Sequence, residues 1–332
     1  MTPPTPTENR VPARRDPPFG LRPSVRGLWE EAGMLIVFVL LFLGSALFVP
    51  NFLTWRNMQG LALAMSMVGM VACTMLFCLA AGHFDLSVET VIPLAGVVAV
   101  VVVNATGEVA AGVLSGMAVG ALVGLVNGLV IAKFRINALI TTLATMQIVR
   151  GLALIVCKGQ AIGVTHEGFC MLGNAAFWGL PVPVWVTLGC FVLFGLLLNR
   201  TTYGRNTLAI GGNEEAARLA GIAVDRIKIT IFVVQGLVAA TAGVLLASRM
   251  TSGQPNTSAG FSLDVIAACV LGGVSLSGGV GSIMGTIVGV LIMATVQNVM
   301  NLLGIQDFYQ HVVRGAILLA AVLFDRVRTR RS

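Results

Sequence analysis

Ten apolar runs, parted by short polar interruptions, leave this chain only one solvent in which it can fold. They cover 34–49, 58–81, 88–106, 109–132, 138–157, 182–199, 229–248, 263–276, 282–303 and 308–325. A helix needs about 20 residues to cross a bilayer. Most of the runs approach that length, and Phe52 and Leu53 can extend the first, slightly short one. In hydrocarbon every backbone N–H and C=O must find its partner inside the chain, so runs of this kind must be helices. The predicted class is an all-α polytopic membrane protein with about ten transmembrane helices. Composition agrees, with 56% hydrophobic residues and only 11% charged ones, where a soluble domain carries about 25% charge. The 39 glycines fit too, because glycine lets membrane helices approach closely or break where a pathway needs exposed backbone.

The formal charge of +7 follows the membrane rather than a nucleic acid. Basic residues gather in the N-terminal tail (Arg10, Arg14, Arg15, Arg22, Arg26), at Lys133 and Arg135, within 200–228, and at Arg326, Arg328, Arg330 and Arg331. The opposite loops hold only scattered cations such as Arg56, Lys158 and Arg249. That bias is the positive-inside pattern, and ten crossings put both termini in the cytoplasm. Residues 1–27, rich in Pro and Arg, are read as a disordered cytoplasmic tail, 28–326 as one transmembrane domain, and 327–332 as a basic tail. A cleaved signal peptide is rejected, because the n-region is too long and no small-x-small site follows Val49. The longest outer loop, 158–181, carries Phe177, Trp178 and Pro181 and reads as an interfacial segment. The six cysteines lie mostly in apolar runs without metal-ligand spacing and read as packing residues, with no structural disulfide expected.

Against this background one polar stretch stands out, NRTTYGRNTLAIGGNEEAARLAGIAVDRIK at 199–228. It holds a short helix with both ends marked. Asn213 is an N-cap, Glu214 and Glu215 sit where the helix dipole favours negative charge, and Gly221 is a C-terminal stop. So short a helix is marginal alone and must lie against something. It is either a socket for a soluble partner or an ordinary solvated loop. Nothing in the chain supplies its own energy source: no G-x-x-x-x-G-K-[ST] phosphate loop, H-E-x-x-H motif or G-x-S-x-G elbow occurs. No catalytic, cofactor or metal-binding residue is assigned, and any ATP used must be hydrolysed by another chain. The Gly-rich run 271–282 lacks the strand and the lysine of a phosphate loop and reads as a tight turn.

Polar side chains at membrane depth are costly, and each is a functional suspect. Asp85, Asn127, Gln147, Gln235, Gln297 and Asn301 are read as lining a translocation pathway, with helix packing as the competing role. Asp85 and Glu89 stand one turn apart if the helix begins early, and they either mark the inner mouth or cap the next helix. Amides offer both donor and acceptor, as a neutral polyhydroxylated solute requires. Arg150, Asp264 and Arg314, near the outer ends of three runs, are read as a structural charge clasp. No ladder of carboxylates suits a proton relay. A weak echo, G-x-x-[DS]-L-S, links 82–87 with 272–277 and raises the question of an internal repeat or re-entrant segments.

Several long segments resemble the permease subunits of bacterial ATP-driven monosaccharide importers, the ribose, xylose and arabinose group. They are GRN at 204–206, AIGGNEEAARLAG at 209–221, FDLS at 84–87, NALITTLATMQIVRG at 137–151, SRMTSGQP at 248–255 and CVLGGVSL at 269–276. The similarity runs from about residue 31 to 325, and MVACTMLFCL at 70–79 with the double Glu leans towards the L-arabinose branch. The tail before Gly27 departs from the pattern. The resemblance implies an importer permease fold in the bacterial inner membrane, two permease copies forming the pore, and two cytoplasmic ATPase subunits that bind ATP and Mg. It also implies a periplasmic sugar-binding protein that delivers the substrate and largely sets selectivity. ATPase coupling would fall to Gly204, Arg205, Gly211, Gly212, Asn213, Glu214, Glu215, Ala217, Arg218 and Gly221. An ion-coupled sugar transporter, or an importer of the same type for another pentose or hexose, is the alternative.

Overall fold

The computed structural model describes residues 25–329, with side chains placed over 33–323. The two tail assignments and their arginines therefore fall outside the described residues or side chains.

Among the described residues, seven of the ten runs are helices long and apolar enough to cross a membrane. They are α2 (Trp55–Ala80), α3 (Val88–Thr106), α4 (Val109–Lys133), α5 (Ala138–Cys157), α7 (Val182–Arg200), α10 (Val224–Arg249) and α12 (Ile283–Leu302). The first and last runs form α1 (Val25–Phe48) and α13 (Asp307–Thr329). The run at 263–276 differs from expectation. It yields only α11 (Phe261–Leu271), whose 11 residues rise about 17 Å, too short to span. The polar 199–228 stretch contains two helices rather than one, α8 (Thr202–Gly212) and α9 (Glu214–Leu219). In the 158–181 loop α6 (Glu167–Asn174) is joined by two-residue strands. Of these, β1 (Ile162–Gly163) pairs with β4 (Ser252–Gly253), and β2 (Ala176–Phe177) with β3 (Leu180–Pro181).

Glycine sets how the centre packs. Gly112, Gly116, Gly120, Gly124 and Gly128 fall four apart on α4, so they form one stripe, and that stripe is the buried face of the helix. A Cβ on Gly120 would overlap the carbonyl oxygen of Gly236, and one on Gly124 that of Phe232. α4 and α10 therefore touch backbone to backbone. α2 runs through the middle of the bundle, with Met70, Cys73, Met75, Leu76 and Leu79 fully enclosed.

Two breaks between helices meet at one end. Gly279 N–H donates to Ala80 O at 2.8 Å. A Cβ on Gly278 would come within 3.0 Å of both Gly82 N and Gly211 Cα. Gly82, Gly278 and Gly279 all have φ near +80°, a region that side chains rarely allow. The breaks at 82–87 and 272–282, which contain the two halves of the echo, thus lie against each other and against the end of α8. On the way to α11 the chain passes down α3: Gly253 packs on Val97, and Ser258 Oγ donates to Glu89 O at 2.9 Å. α11 accordingly begins inside the bundle, as a half-helix that completes a crossing started by the non-helical segment 250–260.

Candidate functional site

The polar corner is built by local signals that the sequence carries. Thr201 Oγ1 accepts from Gly204 N at 3.3 Å and starts α8. A side chain at Gly204 would overlap Leu198 O, so glycine lets α8 fold tightly under the end of α7. Asn213 Oδ1 accepts from Ala216 N at 2.9 Å and caps α9. Gly221, at φ +84°, closes it, with Ile222 N donating to Ala217 O at 3.1 Å. Ala217 is buried against Ile210 and Val224.

Ion pairs then fasten α9 to the membrane helices. Glu214 Oε2 lies 2.7 Å from Lys228 Nζ, and Glu214 Oε1 lies 3.2 Å from Arg218 Nη2. Arg218 reaches Asp225 at 3.5 Å, and Asp225 meets Lys133 at 3.3 Å. The five charges tie α9 to the first turn of α10 and to the last turn of α4. Burial works against the charge on Glu214, but the hydrogen bond and ammonium of Lys228, with Arg218 beside them, hold its carboxyl below the usual carboxylate value. Behind the clasp sits His83. Burial, together with the nearby Lys228, pushes its imidazole from 6.5 down to about 4.

The positions expected to couple to an ATPase divide into two sets. Gly204, Ala217 and the paired Glu214 and Arg218 hold the corner together, and Gly211 presses its backbone on Ala80 O. Arg205, Gly212, Asn213, Glu215 and Gly221 are exposed. Leu219, which the sequence reading omitted, is 81% exposed. Its signal was the i, i+4 spacing from Glu215, which places both on one side of α9. Lys133, Asp225 and Lys228 were also missed, because only the fold brings 133, 214, 218, 225 and 228 together.

The polar residues assigned to a pathway are scattered in kind. Asp85 is buried before α3, off the helix that also carries Glu89, and its Oδ1 accepts from Ser87 N at 2.9 Å and Ser87 Oγ at 2.6 Å. Asn127 Nδ2 donates to that Ser87 Oγ at 2.9 Å, while Thr145 Oγ1 donates to Asn127 Oδ1 at 2.7 Å. These four side chains form a closed seam linking α3, α4 and α5. Gln235 is fully buried, and neither end of its amide has a partner among the described residues. Gln297 donates to Asp264 Oδ2 at 3.2 Å, and Asn301 Oδ1 accepts from Gln310 at 2.9 Å. Gln147 is exposed on α5. Of the expected clasp, Arg314 and Asp264 meet at 3.1 Å. Arg150 stands apart, exposed beside Glu89, Pro255 and Asn256, because α5 packs on α3 and α4 whereas α13 packs on α11.

A bundle of helices long and apolar enough to cross a membrane, with a capped polar corner clamped to it, defines a multi-pass membrane protein. The chain belongs to the permease family described as "Branched-chain amino acid transport system / permease component", which matches residues 57–322. It is 64% identical over 301 residues to the L-arabinose transport system permease protein AraH of Escherichia coli (strain K12), covering 91% of this chain and 92% of that one. The L-arabinose ABC transporter permease protein AraH of Azospirillum brasilense is 51% identical over 327 residues, 98% and 95% of the two chains. The ribose import permease protein RbsC of Bacillus subtilis (strain 168) is 43% identical over 306 residues, 91% and 95%. No solved structure matches the chain significantly.

Proposed function

We propose that this chain is the membrane-spanning subunit of an ATP-driven importer that carries L-arabinose across a bacterial inner membrane. It works as a pair of identical copies, with both termini in the cytoplasm. Two ATPase subunits hold the ATP and Mg, and a periplasmic binding protein delivers the sugar. The observation that carries this reading is the clamped α9 helix with Glu215 and Leu219 turned outward. It is a small rigid handle suited to a soluble partner, fastened through Glu214–Lys228 and Arg218–Asp225 to α10, which Asp225–Lys133 and the glycine contacts join to α4. Force applied to α9 passes to α4 and α10 as one body, and from α4 through Asn127 and Ser87 to the start of α3. Switching of this kind is a rigid-body transition between two packed arrangements.

Gln147 and Arg150, exposed one turn apart on the otherwise apolar outer surface of α5, support a pathway between the two copies. A cation and an amide turned outward in an apolar span do not suit hydrocarbon, but they do suit water and a hydroxylated solute. The names of the relatives favour a sugar over the branched-chain amino acid in the family's description, and L-arabinose over ribose.

Proteoliposomes holding this chain with its co-purifying ATPase and binding protein test the reading. Uptake of labelled L-arabinose should require internal ATP, survive collapse of ion gradients, and resist competition by leucine. Uptake driven by an ion gradient without the ATPase would overturn it in favour of a secondary transporter.

A further inference from the structure

The inner half of the bundle carries a groove that the transport reading does not use. It encloses about 190 Å³ between α2, α7, α8 and α10, lined among others by Thr74, Phe77, Phe194, Tyr203, Ile231 and Val234. Its floor is aromatic: Phe77 stacks on Tyr203 at 5.8 Å and meets Phe194 edge-on at 5.9 Å. The hydroxyls of Thr74 and of the neighbouring wall residue Thr230 are engaged by carbonyls of their own helices, which leaves an apolar slot. The Tyr203 hydroxyl alone has no partner among the described residues.

The charges at one rim decide what fits. Arg200 follows the groove residue Leu197 by one turn at the end of α7, and Arg226 precedes Thr230 by one turn at the start of α10. These helices run in opposite directions, so both arginines emerge at the rim where α8 begins. Both are exposed, and neither has a carboxylate partner among the described residues. The nearby acids are occupied, Glu214 by Lys228 and Arg218, and Asp225 by Arg218 and Lys133. An apolar slot opening beneath two unpaired guanidinium groups matches a molecule with a hydrocarbon chain below a phosphate.

We propose that this groove binds an anionic diacyl phospholipid of the phosphatidylglycerol class, with one acyl chain between α2, α7 and α10 and its phosphate between Arg200 and Arg226. Its phosphate and glycerol oxygens offer the Tyr203 hydroxyl the acceptor that the protein lacks. Because Tyr203 belongs to α8, the lipid braces the segment that leads into α9. The site does not depend on which solute is carried.

Native mass spectrometry of the full-length chain in mild detergent, with phosphatidylglycerol and phosphatidylcholine of identical acyl chains, tests this. Phosphatidylglycerol should be retained about thirtyfold over phosphatidylcholine, as two basic contacts to a headgroup predict. The double variant Arg200→Gln/Arg226→Gln should bring the ratio near one. Val234→Trp, which fills the slot and leaves both arginines in place, should lower retention of both lipids, with thermal melting confirming that each variant is folded. Equal retention by the parent chain, or a preference that survives the double variant, would refute the site. Glycerol phosphate that displaces the lipid as well as an intact phospholipid does would reduce it to a simple anion site and also refute it. Cross-linking of two copies through Val234→Cys would give the groove to a second copy instead.

Discussion

Lys228 holds its ammonium 2.7 Å from Glu214 with 8% of its side chain exposed, while the partner carboxylate is 43% exposed. Half-open pairs are screened, so a double-mutant cycle on the two should read about 1 kcal/mol. The functional effect should be larger. Lys228→Met removes the shortest of the ion pairs that hold α9 to α10 but leaves Glu215 and Leu219 untouched, so the ATPase should still bind while sugar moved per ATP hydrolysed falls. The swap Glu214→Lys with Lys228→Glu should restore part of it. His83 gives a separate handle. Its folded pKa near 4 lies below the unfolded 6.5, so its contribution is complete above 6.5 and is lost as pH falls towards 4. The unfolded chain takes up a proton in that window and the folded chain does not. Thermal unfolding followed against pH should show the loss, on the order of 3 kcal/mol at most, and His83→Asn should flatten the curve between those values. Glu214, whose carboxyl is lowered, stabilises above the unfolded carboxylate value and loses that contribution only in more acid solution.

The α4–α10 pair depends on backbone contact that only glycine permits. Gly120→Val would drive two methyls into Gly236 and should destabilise the fold by about 1–3 kcal/mol or more, read as a lowered denaturation midpoint in micelles. Leu122→Val, at a residue of the same helix that is 60% exposed, should change little. The seam through Asn127 is a second device at this scale. Asn127→Leu strips Ser87 of a donor and Thr145 of an acceptor inside the bundle, at a cost of about 1–3 kcal/mol. The same unfolding measurement reads that loss, and a midpoint unchanged from the parent would mean the seam contributes nothing.

For the whole molecule, the proposed function makes the exposed edge of α9 the place where an outside force enters. Leu219→Asp should abolish co-purification of the ATPase while leaving membrane insertion and the melting temperature unchanged, because an 81% exposed side chain supports nothing within the subunit. Retained ATPase would move the docking surface away from α9. Glu215→Lys should weaken binding in the same assay, whereas Glu214→Lys should also lower stability, since it places a second cation against Lys228.

The order of apolar runs, the class of the fold, the caps at Asn213 and Gly221 and the family resemblance were all legible in the residues, because each depends on neighbours close in sequence or on bulk hydropathy. The five charges around Glu214, the Asp85–Ser87–Asn127–Thr145 seam, the separation of Arg150 from Asp264 and the shortness of α11 were not. Those depend on which helix lies beside which, and helices of equal hydropathy can be arranged in many ways without changing the sequence pattern. Backbone contact through the glycines of α4 and α10 selects one arrangement, and that choice alone determines which charge faces a partner and which faces outward.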